Sequence, residues 1–414
     1  MGITDAFAEY LQNKQDDIKN KQIDKAKECK LDYMSVVTAG AQKSKSKWGV
    51  LLQHIPRGNA PVYGLDITTD SKTAALINGF NAHCLELDDG QRFAMIHLGA
   101  SVISALNAAA ADYEITEENY LTGIIMGYEA ACRVAIAMQP SHKKKGYHTA
   151  GTCGTIGAAA GIAFALGMDG VQLKRVLTAA CASAAGMLEI QEQASEMKPY
   201  NLGRAAMDGL SAAYMGYTGF LTPEDIIGGE RGFFSLFSEV WEAEKLIERQ
   251  DYFEIDRIYV KPYASCRHSH SAVEAAIRLH DNLDTDLIES VEVRTYFLGV
   301  KGHDHSTIQG TSSAKLSTPY AVAAGLLCGR ADLTVFEPVD ERIVELAQKI
   351  KVFEDVDLTK ESPAKRVAIV TVRLKDGTEK SVRVDYAKGD PENPLSSEEL
   401  KQKAESLLQY RQQN

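Results

Sequence analysis

The sequence has few of the features that mark secreted, membrane or nucleic-acid-binding proteins. Its seven cysteines are odd in number and scattered, with no C-x-x-C pair, which argues against a disulfide framework and a zinc cluster. The first 30 residues lack the apolar core of a signal peptide, and no apolar run has the length of a membrane span. The net charge of −11 predicts no basic face for phosphates. We therefore expect a cytoplasmic protein without a nucleic-acid or membrane partner.

The composition that is present predicts a globular protein with two regions of different pattern. Of its residues, 45% are hydrophobic and 24% are charged, as in soluble globular proteins. A chain of 414 residues is too long for one ordinary hydrophobic core and therefore suggests two domains. From about residue 76 to 220, small and apolar residues recur at helical spacing, and after residue 250 the pattern alternates. The first region predicts helices over 100–113, 120–138, 151–166 and 173–190. The second predicts strands over 255–260, 290–300, 365–374 and 381–386, and helices over 271–280, 319–327, 341–349 and 398–410. The fold class is therefore mainly α, a large all-helical domain plus a smaller α/β (α+β) domain.

A stripe of glycines, Gly151, Gly154, Gly157 and Gly161, lies on one of the apolar helices. Small residues at this spacing let helices approach closely. A nucleotide-binding loop is the alternative, but the spacing is not G-x-G-x-x-G and no strand precedes it. The stripe therefore predicts helix packing.

Residues 81–100 carry the densest group of ionisable side chains. Glu86, Asp88 and Asp89 stand among apolar residues, between His83 and His97. A buried carboxylate costs several kcal/mol (roughly) unless it is paired or hydrogen-bonded. The segment is therefore either a structural polar network or acid–base machinery, and the residues alone leave both open.

Other candidates lie further along the chain. His148 stands at the start of a buried helix, where a capping or core role competes with a functional one. Lys198 precedes another helix and is either a surface residue or part of a site. A turn at 261–270 concentrates cations and histidines that suit an anionic substrate, with a Cys266 nucleophile as the alternative. Two histidine pairs, His268/His270 and His303/His305, could in principle bind a metal. Neither forms a helix-borne ligand motif such as H-E-x-x-H, so no metal is expected.

Taken together, these segments resemble the MmgE/PrpD family, which includes 2-methylcitrate dehydratase, cis-aconitate decarboxylase and iminodisuccinate epimerase. The resemblance implies a large helical domain formed from both chain ends, 1–252 and 390–414, and a smaller α/β lid domain at 253–389. It also implies a cofactor-free homodimer. The motifs that carry it are His83-Cys-Leu-Glu-Leu-Asp-Asp with His97-Leu-Gly, Gly146-Tyr-His-Thr with Gly154-Thr-Ile-Gly-Ala-Ala, Lys198 ahead of Gly203-Arg-Ala-Ala, Gly232-Phe-Phe, Lys261-Pro-Tyr with Cys266-Arg-His, Ser317-Thr-Pro-Tyr320, and Gly389-Asp-Pro-Glu-Asn-Pro.

The resemblance also implies roles for single residues. The chain departs from the family pattern at Glu86, where Asp is usual, at Gly90, often Thr, and at Leu98, usually Pro. These departures leave the substrate open. The residues assigned to catalysis are His97, His148 and Tyr320, with Glu86 and Asp89 orienting the rings, and those assigned to substrate binding are Lys198, Lys261, Arg267, His268 and Arg92.

The expected function is a cofactor-independent lyase, dehydratase-like or decarboxylase-like, acting on a small di- or tricarboxylate. Histidines suit proton transfer next to a carboxylate, and Lys and Arg suit the carboxylates themselves. Two alternatives stay open: an epimerase of the iminodisuccinate type, and an inactive binding homologue. An inactive homologue would not need the residues that match the family, and these argue against it: His97, His148, Lys198, Lys261 and Tyr320.

Overall fold

The computed structural model describes residues 2–192 and 195–410. Helices hold 57% of the residues and strands 10%, which confirms the mainly α class with a smaller α/β part. The helices are α1 Ile3–Gln15, α2 Asn20–Trp48, α3 Ser71–His83, α4 Gly99–Asp112, α5 Glu117–Met138, α6 Ser141–Lys144, α7 Thr149–Ala165, α8 Gly170–Ser183, α9 Tyr200–Ala213, α10 Phe233–Phe237, α11 Glu244–Ile247, α12 His270–His280, α13 Phe297–Val300, α14 Thr311–Leu316, α15 Thr318–Cys328, α16 Glu341–Ala347, α17 Val356–Glu361 and α18 Ser397–Leu408. The strands are β1 Ala60–Val62, β2 Ile67–Thr69, β3 Gly90–Gln91, β4 Ile258–Tyr259, β5 Ile288–Thr295, β6 Ile350–Glu354, β7 Ala368–Leu374 and β8 Glu379–Val384.

The chain divides into two compact units. Unit 1 comprises Met1–Ile258 and Glu398–Asn414, and unit 2 comprises Tyr259–Ser397. The sequence analysis placed the corresponding boundaries after residues 252 and 389. In chain order, unit 2 is thus inserted between two parts of unit 1.

Helix α7 lies at the centre of unit 1, and every one of its residues is buried. Two of its glycines, Gly157 and Gly161, face the backbone of α5. A Cβ added at Gly157 would lie 2.7 Å from the carbonyl oxygen of Gly127, and one at Gly161 would lie 2.7 Å from that of Gly123. These distances are shorter than real Cβ contacts, so only glycine permits this approach. The stripe therefore packs helices, as predicted.

Helix α5 corrects one expectation about apolar runs. It has 22 residues and is apolar enough to cross a membrane by length and composition, although no such run was expected. Of its most apolar stretch of 18 residues, 89% is buried inside the protein. Thr116 caps its start by accepting a hydrogen bond from the Asn119 N–H, and Glu117 and Glu118 follow in the first turn. Its burial is that of a core helix.

Unit 2 is built around a four-stranded sheet of order β6-β5-β7-β8. Strand β5 runs parallel to β6 and antiparallel to β7, which forms a hairpin with β8 through Asp376 and Gly377. Gly377 has a φ of 86°, the conformation for which the hairpin signal predicts glycine. The predicted strand over 255–260 is largely wrong, because Glu254–Arg257 is a 3-10 turn and only Ile258–Tyr259 is extended. The last residues of the predicted 290–300 strand instead form α13.

Candidate active site

The loop between α3 and α4, residues 84–98, positions the carboxylates of unit 1. Its anchor is Asp89, which is 3% exposed. The Asp89 carboxylate accepts hydrogen bonds from the N–H groups of Leu98 (3.3 Å) and Gly99 (2.9 Å), at the start of α4. It also accepts one from the hydroxyl of Tyr128 at 2.5 Å, across from α5. These first N–H groups of a helix have no partner within the helix, so a carboxylate there is stabilised.

Burial raises the pKa of Asp89 to about 6. The hydrogen bonds from Tyr128 and Gly99 oppose this rise, and the negative charges of Asp88 and Asp32 add to it. The carboxylate therefore accepts three hydrogen bonds, and its pKa nevertheless lies near neutral pH.

Two imidazoles converge on the neighbouring carboxylate, Asp88. Its Oδ2 atom lies 2.8 Å from Nδ1 of His83 and 3.5 Å from Nδ1 of His97. The two ring centroids are 4.8 Å apart. Nδ1 of His97 lies closer, at 2.8 Å, to the backbone carbonyl oxygen of Asp89. The loop thus fixes the orientation of both rings.

Glu86 occupies a backbone conformation that is rare for its residue type. Its φ is 57°, in the left-handed region, which costs a non-glycine residue about 1–2 kcal/mol. Its carboxylate forms an ion pair with the ammonium of Lys198 and lies 3.5 Å from Nε2 of His83. Strain of this kind persists where the surroundings fix the conformation and is frequent at functional sites.

His148 precedes α7 and is buried. Its Nδ1 atom lies 2.9 Å from Nδ2 of Asn201, on α9, and its backbone N–H donates to the carbonyl of Gly186. Burial lowers the pKa of His148 well below its usual range, and the positive charges of Lys198, His83 and His97 lower it further. The ring is therefore neutral at physiological pH.

Unit 2 holds a separate group of cations. Lys261 is fully buried, and Arg267 (5% exposed) forms an ion pair with Asp390 at 2.5 Å. Within residues 2–192 and 195–410, Nε and Nη1 of Arg267 have no hydrogen-bond partner. Burial, together with the charges of Arg267, Lys261 and Arg366, lowers the pKa of His270 well below its usual range. Three cations thus surround the His270 imidazole, and Lys and Arg are the side chains that suit an anion.

The comparison with known proteins covers almost the whole chain. The MmgE/PrpD N-terminal domain matches residues 5–245, and the MmgE/PrpD C-terminal domain matches residues 263–414. The chain belongs to the MmgE/PrpD family.

The curated relatives of this family member are named as decarboxylases. A cis-aconitate decarboxylase-like protein of Aspergillus oryzae is 24% identical over 95% of this chain and 88% of its own length. The cis-aconitate decarboxylase of Homo sapiens is 23% identical, over 82% of this chain and 73% of its own length. That of Aspergillus terreus is 23% identical, over 98% and 89%.

Unit 1 of this MmgE/PrpD protein brings together five of the residues that the sequence predicts for the site: Glu86, Asp89, His97, His148 and Lys198. Arg92 lies in the same loop, with its guanidinium carbon 5.1 Å from the centroid of the Phe93 ring. In unit 2, His268 contacts Tyr296, whose hydroxyl lies 2.6 Å from its Nδ1.

Tyr320 has contacts that do not match its predicted catalytic role. It is fully buried in α15, where its hydroxyl donates to the carbonyl of Val335 at 2.9 Å. The same hydroxyl accepts a hydrogen bond from the N–H of Asp340 at 3.1 Å. Both bonds tie segments of unit 2 together, so the geometry of Tyr320 supports a structural role.

Metal ligands were not expected, but one group in unit 1 has suitable atoms. His83, Asp88 and His97 each offer a ligand atom, and these atoms lie within 4.8 Å of one another. In unit 2, the ring N–H of His270 at Nε2 instead donates to the carbonyl of Ser265 at 3.1 Å. In unit 1, however, Nδ1 of His83 is hydrogen-bonded to Asp88 and Nδ1 of His97 to the carbonyl of Asp89, so the group forms a hydrogen-bonded network.

Sequence reasoning missed the residues that hold the site from outside the loop. Tyr128 and Asn201 lie within helices, and Arg366 and Asp390 lie in the cation group of unit 2. Tyr128 is one of many residues of an apolar helix, and no local pattern separates it from its neighbours. Asn201 stands three residues after Lys198, and this proximity is the only signal for it in the sequence.

Proposed function

We propose that this protein is a cofactor-independent lyase that acts on a small di- or tricarboxylate by proton transfer at a carbon next to a carboxylate. The observation that carries the proposal is the group of three imidazoles and one ammonium in unit 1, of which His83 and His148 are buried and His97 and Lys198 are partly buried. The names of the relatives favour decarboxylation over dehydration.

The chemistry of a decarboxylation explains why these groups suit it. The carbon–carbon bond to the leaving carboxylate breaks, and CO2 departs. The electron pair of that bond stays with the substrate carbon and is delocalised toward a remaining carboxylate. The intermediate resembles an enediolate and is stabilised by a nearby cation and by fixed hydrogen-bond donors. A proton is then delivered to carbon, a step that an imidazole performs near neutral pH.

Lys198, in unit 1, is our candidate for binding the carboxylate that remains on the substrate. Its ion pair with Glu86 holds the ammonium in place without substrate, so less side-chain entropy is lost when substrate binds. In unit 2, we assign Lys261, Arg267 and His268 to carboxylate binding, since Arg267 retains two buried nitrogen atoms without partners in the described chain. Arg presents a fork to a carboxylate, whereas Lys is a point charge.

The test is a substrate panel followed by NMR in D2O. We expect one of cis-aconitate, 2-methylcitrate or citrate to be consumed without an added cofactor, with release of CO2 or water. Deuterium should enter the product at carbon if a C–H bond forms. Inversion of iminodisuccinate without loss of CO2 or water would instead assign an epimerase.

A pair of lysine variants controls the assay. Lys198→Ala should reduce turnover at least tenfold, because the intermediate loses its cation, whereas the exposed Lys27→Ala should not change it. Absence of turnover of every acid by folded protein would reject the proposed function.

A further inference from the structure

The backbone carbonyl of Asp89 determines which nitrogen of His97 carries the proton. The carbonyl oxygen lies 2.8 Å from Nδ1 of His97 and can only accept a hydrogen bond. Nδ1 must therefore carry a hydrogen. In the neutral ring, Nε2 of His97 is left with a lone pair that can take up a proton.

Asn201 imposes the opposite arrangement on His148. Nδ2 of Asn201 lies 3.3 Å from the carbonyl oxygen of Met187, which needs a donor, so this carbonyl fixes the orientation of the amide. The same Nδ2 lies 2.9 Å from Nδ1 of His148. Nδ1 of His148 is therefore the acceptor, and the proton of its neutral ring is on Nε2.

The backbone around His148 maintains this geometry. The carbonyl of Gly186 accepts the N–H of His148 at 3.1 Å, and Tyr147 pairs with Met187 in an antiparallel bridge. A Cβ added at Gly186, which has a φ of 148°, would lie 3.1 Å from the carbonyl oxygen of His148. Glycine thus allows the segment that carries Met187 to lie against His148.

The charged surroundings of the two rings also differ. His148 faces the positive charges of Lys198, His83, His97 and Lys143, which disfavour a second proton on its ring. His97 lies 3.5 Å from the carboxylate of Asp88, 4.8 Å from the ring of His83 and against the Asp89 segment. The carboxylate stabilises a positive charge on His97.

We propose that the two histidines have unequal roles: Nε2 of His97 transfers the proton, whereas the Nε2–H of His148 is a permanent hydrogen-bond donor to the oxygen on which negative charge develops. Asn201 is a positioning residue that sets the tautomer of His148. This inference rests on the proposed function. In a decarboxylation, the protonated His97 gives its Nε2 proton to carbon as CO2 leaves, then regains a proton from water, while His148 keeps its own.

The first test compares glutamine variants of the two histidines. The amide Nε2 of glutamine can donate a hydrogen bond as an imidazole does, but it cannot transfer a proton to carbon. His97→Gln should lower kcat about a hundredfold or more, the usual scale for loss of a general acid–base group. His148→Gln should keep about a tenth of kcat or more, with the pH profile of the wild type. Equal losses in the two variants, or a pH limb that disappears in His148→Gln, would overturn the assignment.

The second test observes the tautomers without using activity. Nitrogen-15 NMR of the ten labelled histidines, assigned with the two glutamine variants, should show a neutral His148 protonated at Nε2. His97, once neutral, should be protonated at Nδ1. The reverse pattern would overturn the inference. The result stands even if no polycarboxylate is turned over, in which case only the proposed function fails.

The third test concerns Asn201 alone. Asn201→Asp presents an acceptor to Nδ1 of His148, so the ring proton should move to Nδ1 in the NMR spectrum and kcat should fall. In the His148→Gln background the same substitution should change kcat less than threefold (roughly), because no imidazole remains to be set. An equal loss in both backgrounds would show that Asn201 does not act through His148.

Discussion

Removing the charge of Asp89 should change how the stability of unit 1 depends on pH. The carboxyl is buried, and its pKa rises from 3.8 to about 6. Between these values the folded state holds a proton that the unfolded state has lost. Stability therefore falls as pH rises through this window. The whole rise corresponds to ~3 kcal/mol.

The substitution Asp89→Asn isolates this effect. The amide oxygen can still accept from the N–H groups of Leu98 and Gly99, and its NH2 group can donate to the hydroxyl of Tyr128. From about pH 5 to pH 8, we expect the variant to gain ~1.4 kcal/mol in unfolding free energy relative to the wild type. Any constant cost of the substitution cancels in this comparison.

Urea unfolding followed by tryptophan fluorescence is the assay, because both tryptophans, Trp48 and Trp241, lie in unit 1. Asp17→Asn, at an exposed position of unit 1, is the matched control and should show no such change with pH. A difference between wild type and Asp89→Asn that stays constant from pH 5 to 8, within about 0.4 kcal/mol, would refute the argument.

Three further outcomes are expected. Gly203→Ala should destabilise unit 1 by ~3 kcal/mol or more, because its Cβ would lie 2.2 Å from the carbonyl oxygen of Leu76, whereas Gly219→Ala, in open space, should not; the same urea assay compares them. Activity should survive exhaustive dialysis against a chelator, and a loss that zinc restores would contradict this. Arg267→Lys should raise KM about tenfold with a smaller change in kcat, measured by steady-state kinetics, because Lys lacks the bidentate fork; an unchanged KM would remove Arg267 from substrate binding.

Local patterns predicted the elements whose periodicity agrees with their burial. The helix predicted over 151–166 is Thr149–Ala165, and the strand predicted over 365–374 is Ala368–Leu374. The helix predicted over 173–190 instead ends at Ser183. The segment that follows packs against the backbone of His148, a long-range contact that periodicity does not register. The 3-10 turn at Glu254–Arg257 has the same kind of cause, because the N–H of Glu254 bonds to the buried carboxylate of Glu129.

The candidate site likewise has a part that the sequence predicts and a part that it does not. His83, Glu86, Asp88, Asp89 and His97 lie within 15 residues of one another, so their grouping is visible in the sequence. The tautomers of His97 and His148 are not visible, because they depend on the carbonyls of Asp89 and Met187 and on the amide of Asn201. A residue's type shows what chemistry it can perform, whereas its partners decide which form of it is present.

The position of α18 constrains how unit 1 assembles during synthesis. The ammonium of Lys403, on this helix, bonds to the carboxylate of Asp32 at 2.5 Å and to the carbonyl of Leu87, inside the site loop, at 2.8 Å. Unit 2 precedes α18 in the chain. While unit 2 is being translated, Asp32 and Leu87 lack this partner. The site loop therefore gains its last anchor only after the whole of unit 2 has left the ribosome.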